Sequence, residues 1–229
     1  MKINREKKLS IIFAADIFGY SRMMNENEER TLALLEKARK FIDPKIKHFG
    51  GRIANTAGDS IIAVFPTASK AIDFAILVQE KLRDANKSIE PRKRLVLRMG
   101  LHVGEIYERG EDVLGEGVNI AARLEGQAEP GAICMSEGFF NLVSKKIEDK
   151  KVKVANLGEL NLKNISTPIK GYEIFSTKSG HTSALSARFT LKEKRNRILI
   201  ALIAAAFACI LAVLIAIMAT KSLFEISNI

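Results

Sequence analysis

Cysteine is scarce in this chain. There are two residues in 229, Cys134 in an apolar stretch with strand character and Cys209 near the C-terminus. Two scattered thiols suggest neither a disulfide framework nor a metal-ligand set. Aromatic residues make up only 7%, and they do not interleave with the positive charge. Lys and Arg outnumber Asp and Glu by 36 to 26, for a net charge of +10. This excess gathers in residues 2–8, 145–153 and 192–197 rather than in one stripe, which argues against nucleic-acid binding. Solvated loops account for the first two clusters, and attraction to anionic lipid accounts for the third. There is no internal repeat. Basic residues before Leu9–Ala15 superficially imitate a secretion signal, but the apolar stretch is seven residues long and ends in Asp16, so it reads as a strand.

One long apolar run is present. From Ile198 to Ala219 there are 22 residues without a charge. As a helix they would extend about 33 Å, enough to cross a hydrocarbon core of about 30 Å. A soluble helix of that length would keep a polar face, so residues 198–219 are expected to form a transmembrane helix. Lys192, Lys194, Arg195 and Arg197 precede the run, whereas Lys221 alone follows it. The positive-inside rule then places the preceding domain in the cytoplasm, on a single-pass protein of the (inner) cell membrane, and sends residues 220–229 across. Ala204, Ala208, Ala212 and Ala216 recur every fourth residue, a small-residue face on which two such helices can associate. Eight of the 22 residues are alanine, so chance recurrence is the competing reading.

The remaining organisation is one catalytic-sized domain, residues 1–176, and a linker with a basic juxtamembrane segment, residues 177–197. Within the domain, Asn25 precedes Glu28 by three residues, as in a capping box, and Leu32, Leu35, Ala38, Ile42 and Ile46 follow at helical spacing. Pro44 is expected to kink or end that helix, and Gly50-Gly51 to stop it. Two short strands flank Thr56–Asp59 as a hairpin, and a second helix is expected over 67–86. Leu95, Leu97, Met99, Leu101 and Val103 alternate with Arg94, Arg98 and His102, which is strand periodicity. The order βαββαβ predicts an α+β domain with a ferredoxin-like core. Beyond a loop over 104–116, a helix over 117–127, a strand over 132–135, a helix over 137–143 and a β region over 152–175 complete it.

Two carboxylates stand out because each closes an apolar strand. Asp16 ends the run from Leu9, and Asp59 lies between Gly51–Ala54 and Ile61–Phe65. A carboxylate there is costly unless a cation meets it. Two of them side by side suit Mg²⁺ held by one or two carboxylates plus substrate phosphates. Asp beside Gly is equally a turn cap, and the two residues alone satisfy either reading. Asn119 and Arg123 are four residues apart on an expected helix, so they share a face. An Arg there can stabilise charge on a transferring phosphoryl group, and an Asn amide can orient a ribose or phosphate oxygen; a structural Asn–Arg pair is the alternative.

Phe13-Ala-Ala-Asp16-Ile-Phe-Gly19-Tyr-Ser, Gly50-Gly51-Arg-Ile and Gly58-Asp59-Ser60 resemble class III nucleotidyl (adenylate/guanylate) cyclases. So do the stretches from Asp112 through Asn119 and Arg123 to Glu125, from Glu129 to Ser136, and from Leu157 to Tyr172. The likeness covers about residues 7–176. It implies active sites formed between two catalytic domains, in a homodimer. Asp16 and Asp59, with the Ile17 carbonyl, would bind two divalent cations, Mg²⁺ or Mn²⁺. Backbone amides at Phe18 and Gly19 would hold phosphate oxygens, and Lys163 would reach the triphosphate. Asn119 and Arg123 would come from the partner chain as the ribose-orienting and transition-state residues.

The resemblance implies conversion of ATP to 3′,5′-cyclic AMP and pyrophosphate, a lyase reaction of signal transduction. One departure bears on the base. The family's purine-selecting pair is a Lys four residues before the second metal Asp and an Asp seven before the Asn. Asp112 matches the latter, but Asn55 stands at the former. Asn donates a hydrogen bond, yet it is short and uncharged. ATP is the expected substrate with reduced selectivity; GTP or a pyrimidine triphosphate is the alternative, as is a silent nucleotide-binding regulatory module. The Gly-Gly-Asp/Glu-Glu-Phe pattern of diguanylate-forming relatives is lacking. No sensor domain is expected to precede the catalytic unit.

Overall fold

The computed structural model describes residues 6–150 and 152–176. The expected linker 177–197, transmembrane helix 198–219 and tail 220–229 lie outside them. Among the described residues, no helix is long and apolar enough to cross a membrane. The elements run β1 (Lys8–Ile17), α1 (Tyr20–Glu26), α2 (Glu28–His48), β2 (Arg52–Ala57), β3 (Ser60–Phe65), α3 (Ala68–Ala85) and β4 (Leu97–Arg109). Then follow β5 (Asp112–Leu114), α4 (Glu116–Gln127), β6 (Ile133–Ser136), α5 (Glu137–Glu148), β7 (Val152–Leu160) and β8 (Ile169–Ser176). The sheet order is β2-β3-β1-β4-β6-β8-β7, with β5 hairpinned onto β4. Its first four members are antiparallel neighbours and carry the expected βαββαβ order.

Strand alternation decides which residues meet which helices. Ile11, Phe13, Ala15 and Ile17 of β1 enter one core with Ile42 and Ile46 of α2, Ile72 and Phe74 of α3, and Phe139 and Val143 of α5. Ile12 and Ala14 turn to the other face, against Ala121 of α4. Asp16 continues that second series, so the carboxylate ends its strand on the α4 face. On β4 the same face carries Arg98, Gly100 and His102. Gly100 has no substitute here: a Cβ would stand 2.1 Å from the Ala121 carbonyl oxygen and 2.4 Å from the Glu125 nitrogen. Helix α4 therefore rests backbone-to-backbone on the strand that neighbours Asp16.

Three local expectations are corrected. The cap of the long helix is Asn27, whose Oδ1 accepts from the Arg30 amide at 2.9 Å, not Asn25. A separate short helix, α1, occupies the turn before it. Pro44 neither ends nor replaces α2, which continues to His48. Pro44 lies on the exposed side, where water can satisfy the carbonyl one turn back. The expected loop over 104–116 is mostly the β4–β5 hairpin.

Candidate active site

The first half of the site is built where β1 ends. Antiparallel pairing sets Asp16 opposite Arg98. The guanidinium forks onto the carboxylate: Nε donates to Asp16 Oδ1 at 3.0 Å and Nη2 donates to Oδ2. Nη2 also stands 3.1 Å from Glu125 Oε1, and Nη1 donates to the Gly126 carbonyl at 3.4 Å. Asp59, on the β2–β3 turn, reaches across so that its Oδ2 accepts from the Ile17 amide at 2.9 Å. This bond fixes the second carboxylate beside the first.

The electrostatics follow from three carboxyls around one Arg. Burial, with the charge of Asp16 contributing, raises the Asp59 carboxyl above its ordinary range. Burial, and then the hydrogen bond with Asp16, push the Glu125 carboxyl up to about 8. At neutral pH Glu125 thus favours its protonated form. The hydrogen bond to Asp16 and the surrounding carboxylates in turn hold the Arg98 guanidinium above its usual value. Among the described residues no three His, Cys, Asp or Glu side chains form a ready metal cage. The donor set nevertheless fits a hard cation: two adjacent carboxylates and the Ile17 carbonyl supply oxygens, and phosphates would complete the shell.

The turn after β1 is only partly as expected. Gly19 adopts φ 73°, a conformation that favours glycine, and starts α1. The Phe18 amide, however, donates to the Val96 carbonyl at 2.8 Å. It is committed to the fold and is not free for a phosphate oxygen.

The second half of the site lies on α4 and neighbouring loops. Asn119 and Arg123 are exposed, one turn apart, and neither has a side-chain hydrogen bond or ion pair among the described residues. Glu125 turns toward Asp16; Arg123, two residues earlier, is about 200° away around the helix and faces outward. Lys163 is likewise exposed and unpaired among the described residues. Its neighbour Leu162 is buried against Ile120 and Leu124 of α4, which ties this loop to the helix. The structure brings Asn55 and Asp112 together: Asn55 Nδ2 donates to Asp112 Oδ1 at 3.2 Å. Arg109 Nη2 stands 3.4 Å from Asp112 Oδ2. These three line an open pocket of about 520 Å³ with Ile53, Thr56 and Glu111, a size suited to a small ligand.

Arg98, Glu125 and Arg109 are the residues that sequence reasoning did not assign. Alternation along β4 placed Arg98 on a polar face, but only the β1–β4 register reveals its partner.

Comparison with known proteins identifies the family. The family described as the adenylate and guanylate cyclase catalytic domain matches residues 1–176. A putative adenylate cyclase 3 of Rhizobium meliloti is 32% identical over 164 residues, which cover 71% of this chain and 27% of that protein. The chain therefore spans about a quarter of that relative's length. The crystal structure of an adenylate/guanylate cyclase/hydrolase from Silicibacter pomeroyi superposes with a TM-score of 0.69 at 35% identity, covering 74% of this chain and 98% of that one. The adenylyl cyclase CyaB of P. aeruginosa shares the fold, with a TM-score of 0.64 at 22% identity over 78% of this chain and 98% of that one. The chain belongs to the adenylate and guanylate cyclase catalytic domain family, with an adenylate cyclase-like catalytic domain in residues 1–176.

Proposed function

We propose that the protein is a homodimeric nucleotide cyclase, anchored to the inner cell membrane through residues 198–219 with its catalytic domain in the cytoplasm, that converts ATP to 3′,5′-cyclic AMP and pyrophosphate. The observation that carries this reading is the opposed orientation of its two half-sites. Arg123 and Asn119 face away from Asp16 and Asp59 of their own chain, which supports a helix of one chain serving the carboxylates of another.

In each shared site Asp16, Asp59 and the Ile17 carbonyl would hold Mg²⁺ or Mn²⁺, which when bound would favour loss of the 3′-hydroxyl proton to water and offset the charge of the triphosphate. Gly19 supports phosphate oxygens from the same chain. From the partner chain, Asn119 orients the ribose so that its 3′ oxygen faces the α-phosphorus. The new 3′ oxygen–phosphorus bond forms as the bond to the α–β bridging oxygen breaks, and pyrophosphate leaves with that electron pair. Arg123 stabilises the charge that spreads over the phosphoryl oxygens, and Lys163 meets the departing pyrophosphate.

The base lies beside Asn55 and Asp112. One N–H of the Asn55 amide is given to Asp112, which leaves its second N–H and its carbonyl oxygen for a base. A short, uncharged donor that Asp112 partly holds weakens selection of adenine, and GTP or a pyrimidine triphosphate is the second reading. Incubating the full chain with Mn²⁺ and each of the four nucleoside triphosphates tests this. Cyclic AMP should be the main product; a larger yield from another triphosphate would support the second reading. Nucleotide binding with no cyclic product from any of them would instead identify a silent regulatory module.

A further inference from the structure

The turn at Gly110-Glu111 closes the β4–β5 hairpin, and Gly110 takes φ 63° there. It sets Arg109 directly opposite Asp112, so the two side chains leave the same face of the ribbon. Arg52 of β2 ties this turn to the neighbouring hairpin: its Nη1 donates to the Glu111 carbonyl, and its Nη2 stands 3.3 Å from Glu108 Oε1. On β2 the pairing register shifts between Ile53 and Asn55, the kind of irregularity that re-aims a side chain. Asn55 meets Asp112 just beyond it. Side chains from two hairpins thus converge on one open pocket, which Ile53 and Ala54 also line.

Asp112 is largely occupied within the chain. Its Oδ1 accepts from the Asn55 amide at 3.2 Å and from the Val113 amide at 2.8 Å, and its Oδ2 accepts from Arg109 Nη2 at 3.4 Å. Arg109 is not. Its side chain makes that one hydrogen bond among the described residues. A guanidinium carries five N–H donors, so about four are left over. With 45% of the Arg109 side chain open to water, the ion pair adds little to stability. What the pair does provide is a planar fork of donors on the wall of a pocket whose carboxylate is already engaged.

We infer that Arg109 is a specificity-determining residue that admits guanine to the base pocket, by donating its fork to two neighbouring acceptors on the purine edge. This rests on the reading above, in which Asn55 and Asp112 face the base of a cyclase substrate. Guanine presents its 6-carbonyl oxygen and the nitrogen at position 7 side by side, and an Arg fork matches both. Adenine presents the same ring nitrogen beside an amino group, so one arm of the fork meets another donor. The remaining acceptor site on Asp112 serves an N–H of either purine. Reduced selectivity for ATP then has a cause besides the short donor at Asn55. Lys cannot replace Arg here, because a single ammonium has no fork.

The test is kcat/KM of the full-length chain with Mn²⁺ for ATP, GTP and 7-deaza-GTP, in which carbon replaces the ring nitrogen at position 7. The unsubstituted chain should cyclise GTP as well as ATP, and should use 7-deaza-GTP about tenfold less efficiently than GTP. Arg109→Met keeps the reach of the side chain and removes the fork. GTP should then lose about tenfold, ATP should stay within about twofold, and the difference between GTP and 7-deaza-GTP should vanish. Arg109→Lys keeps the charge and should behave like Arg109→Met, which separates the fork from general attraction to a triphosphate.

GTP left unused by the unsubstituted chain, or 7-deaza-GTP used as well as GTP, would overturn the inference without recourse to any variant. Equal losses for ATP and GTP in Arg109→Met, the mark of a merely structural residue, would overturn it too, as would an Arg109→Lys chain that still distinguishes GTP from 7-deaza-GTP. Each of these results leaves the cyclase reading standing. Cyclic product from none of the nucleotides would instead overturn the cyclase reading, and the role of Arg109 with it.

Discussion

The two halves of the site differ in how fully the chain satisfies them. Around Asp16, every charged group has a partner within the same chain, and the carboxyls, one guanidinium and two backbone groups close on themselves. On the outer face of α4, Asn119, Arg123 and, on the nearby loop, Lys163 are exposed without such partners among the described residues. A closed cluster is preorganised to hold cations and substrate phosphate. An open one, on a helix with no slack against the sheet, is preorganised to be delivered. The contrast supports the proposal that one catalytic domain presents two complementary parts rather than one incomplete site.

The most damaging way to break this contrast is to remove one essential group from either half. Asp59→Ala and Arg123→Ala should each lower kcat by about a thousandfold or more, measured as cyclic nucleotide formed by the purified chain. Thermal unfolding should separate them, because Asp59 is bonded to the Ile17 amide and Arg123 has no side-chain hydrogen bond or ion pair among the described residues. Arg123→Ala should melt like the unsubstituted protein, while Asp59→Ala shifts its midpoint.

A smaller effect is expected from disturbing the seat of α4. Gly100→Ala forces a methyl group against the Ala121 carbonyl and the Glu125 amide. Backbone cannot step aside as a side chain can, so the substitution should cost about 1–3 kcal/mol in denaturant unfolding. Activity should fall further than stability explains, because Asn119 and Arg123 move with the helix.

The end of α4 is also held by Glu173 of β8, a buried carboxyl that accepts from the Glu129 amide at 2.8 Å. Burial raises this group to about 7. The folded state therefore prefers the protonated form. Its stabilising contribution is complete below about pH 4.5 and is lost as pH rises through 7, by about 3–4 kcal/mol in all. Replacing it with Gln should flatten the decline in unfolding free energy between pH 5 and 8 to that extent.

The mildest expected change concerns the base. Asn55→Lys adds a donor that reaches past Asp112, so the ratio of kcat/KM for ATP over GTP should rise about tenfold. An unchanged ratio would separate this pocket from base recognition.

Much of this organisation was legible in the sequence because burial and strand periodicity agree. Apolar residues on alternate positions of β1 and β4 fix both faces, and the turn at Gly58–Asp59 is set between two short apolar runs. That Asn119 and Arg123 share a helix face was legible from spacing, while their roles rest on the family resemblance. The Arg98–Asp16–Glu125 cluster was not, since strand register and the seat of a helix bring together residues that lie 82 and 27 positions apart. The Phe18 amide was misread for a related reason: its acceptor, Val96, is remote in sequence. Asn25 lost the cap to Asn27 because an extra turn of helix precedes it, and the local motif does not register that turn.

The division of one chain between two sites is tested most directly by mixing Asp59→Ala and Arg123→Ala chains, each inactive alone. Half of randomly assorted dimers are mixed and each holds one intact site, so about a quarter of the unsubstituted activity should return. Activity that stays at the level of the separate variants, with mixed dimers demonstrably formed, would contradict it.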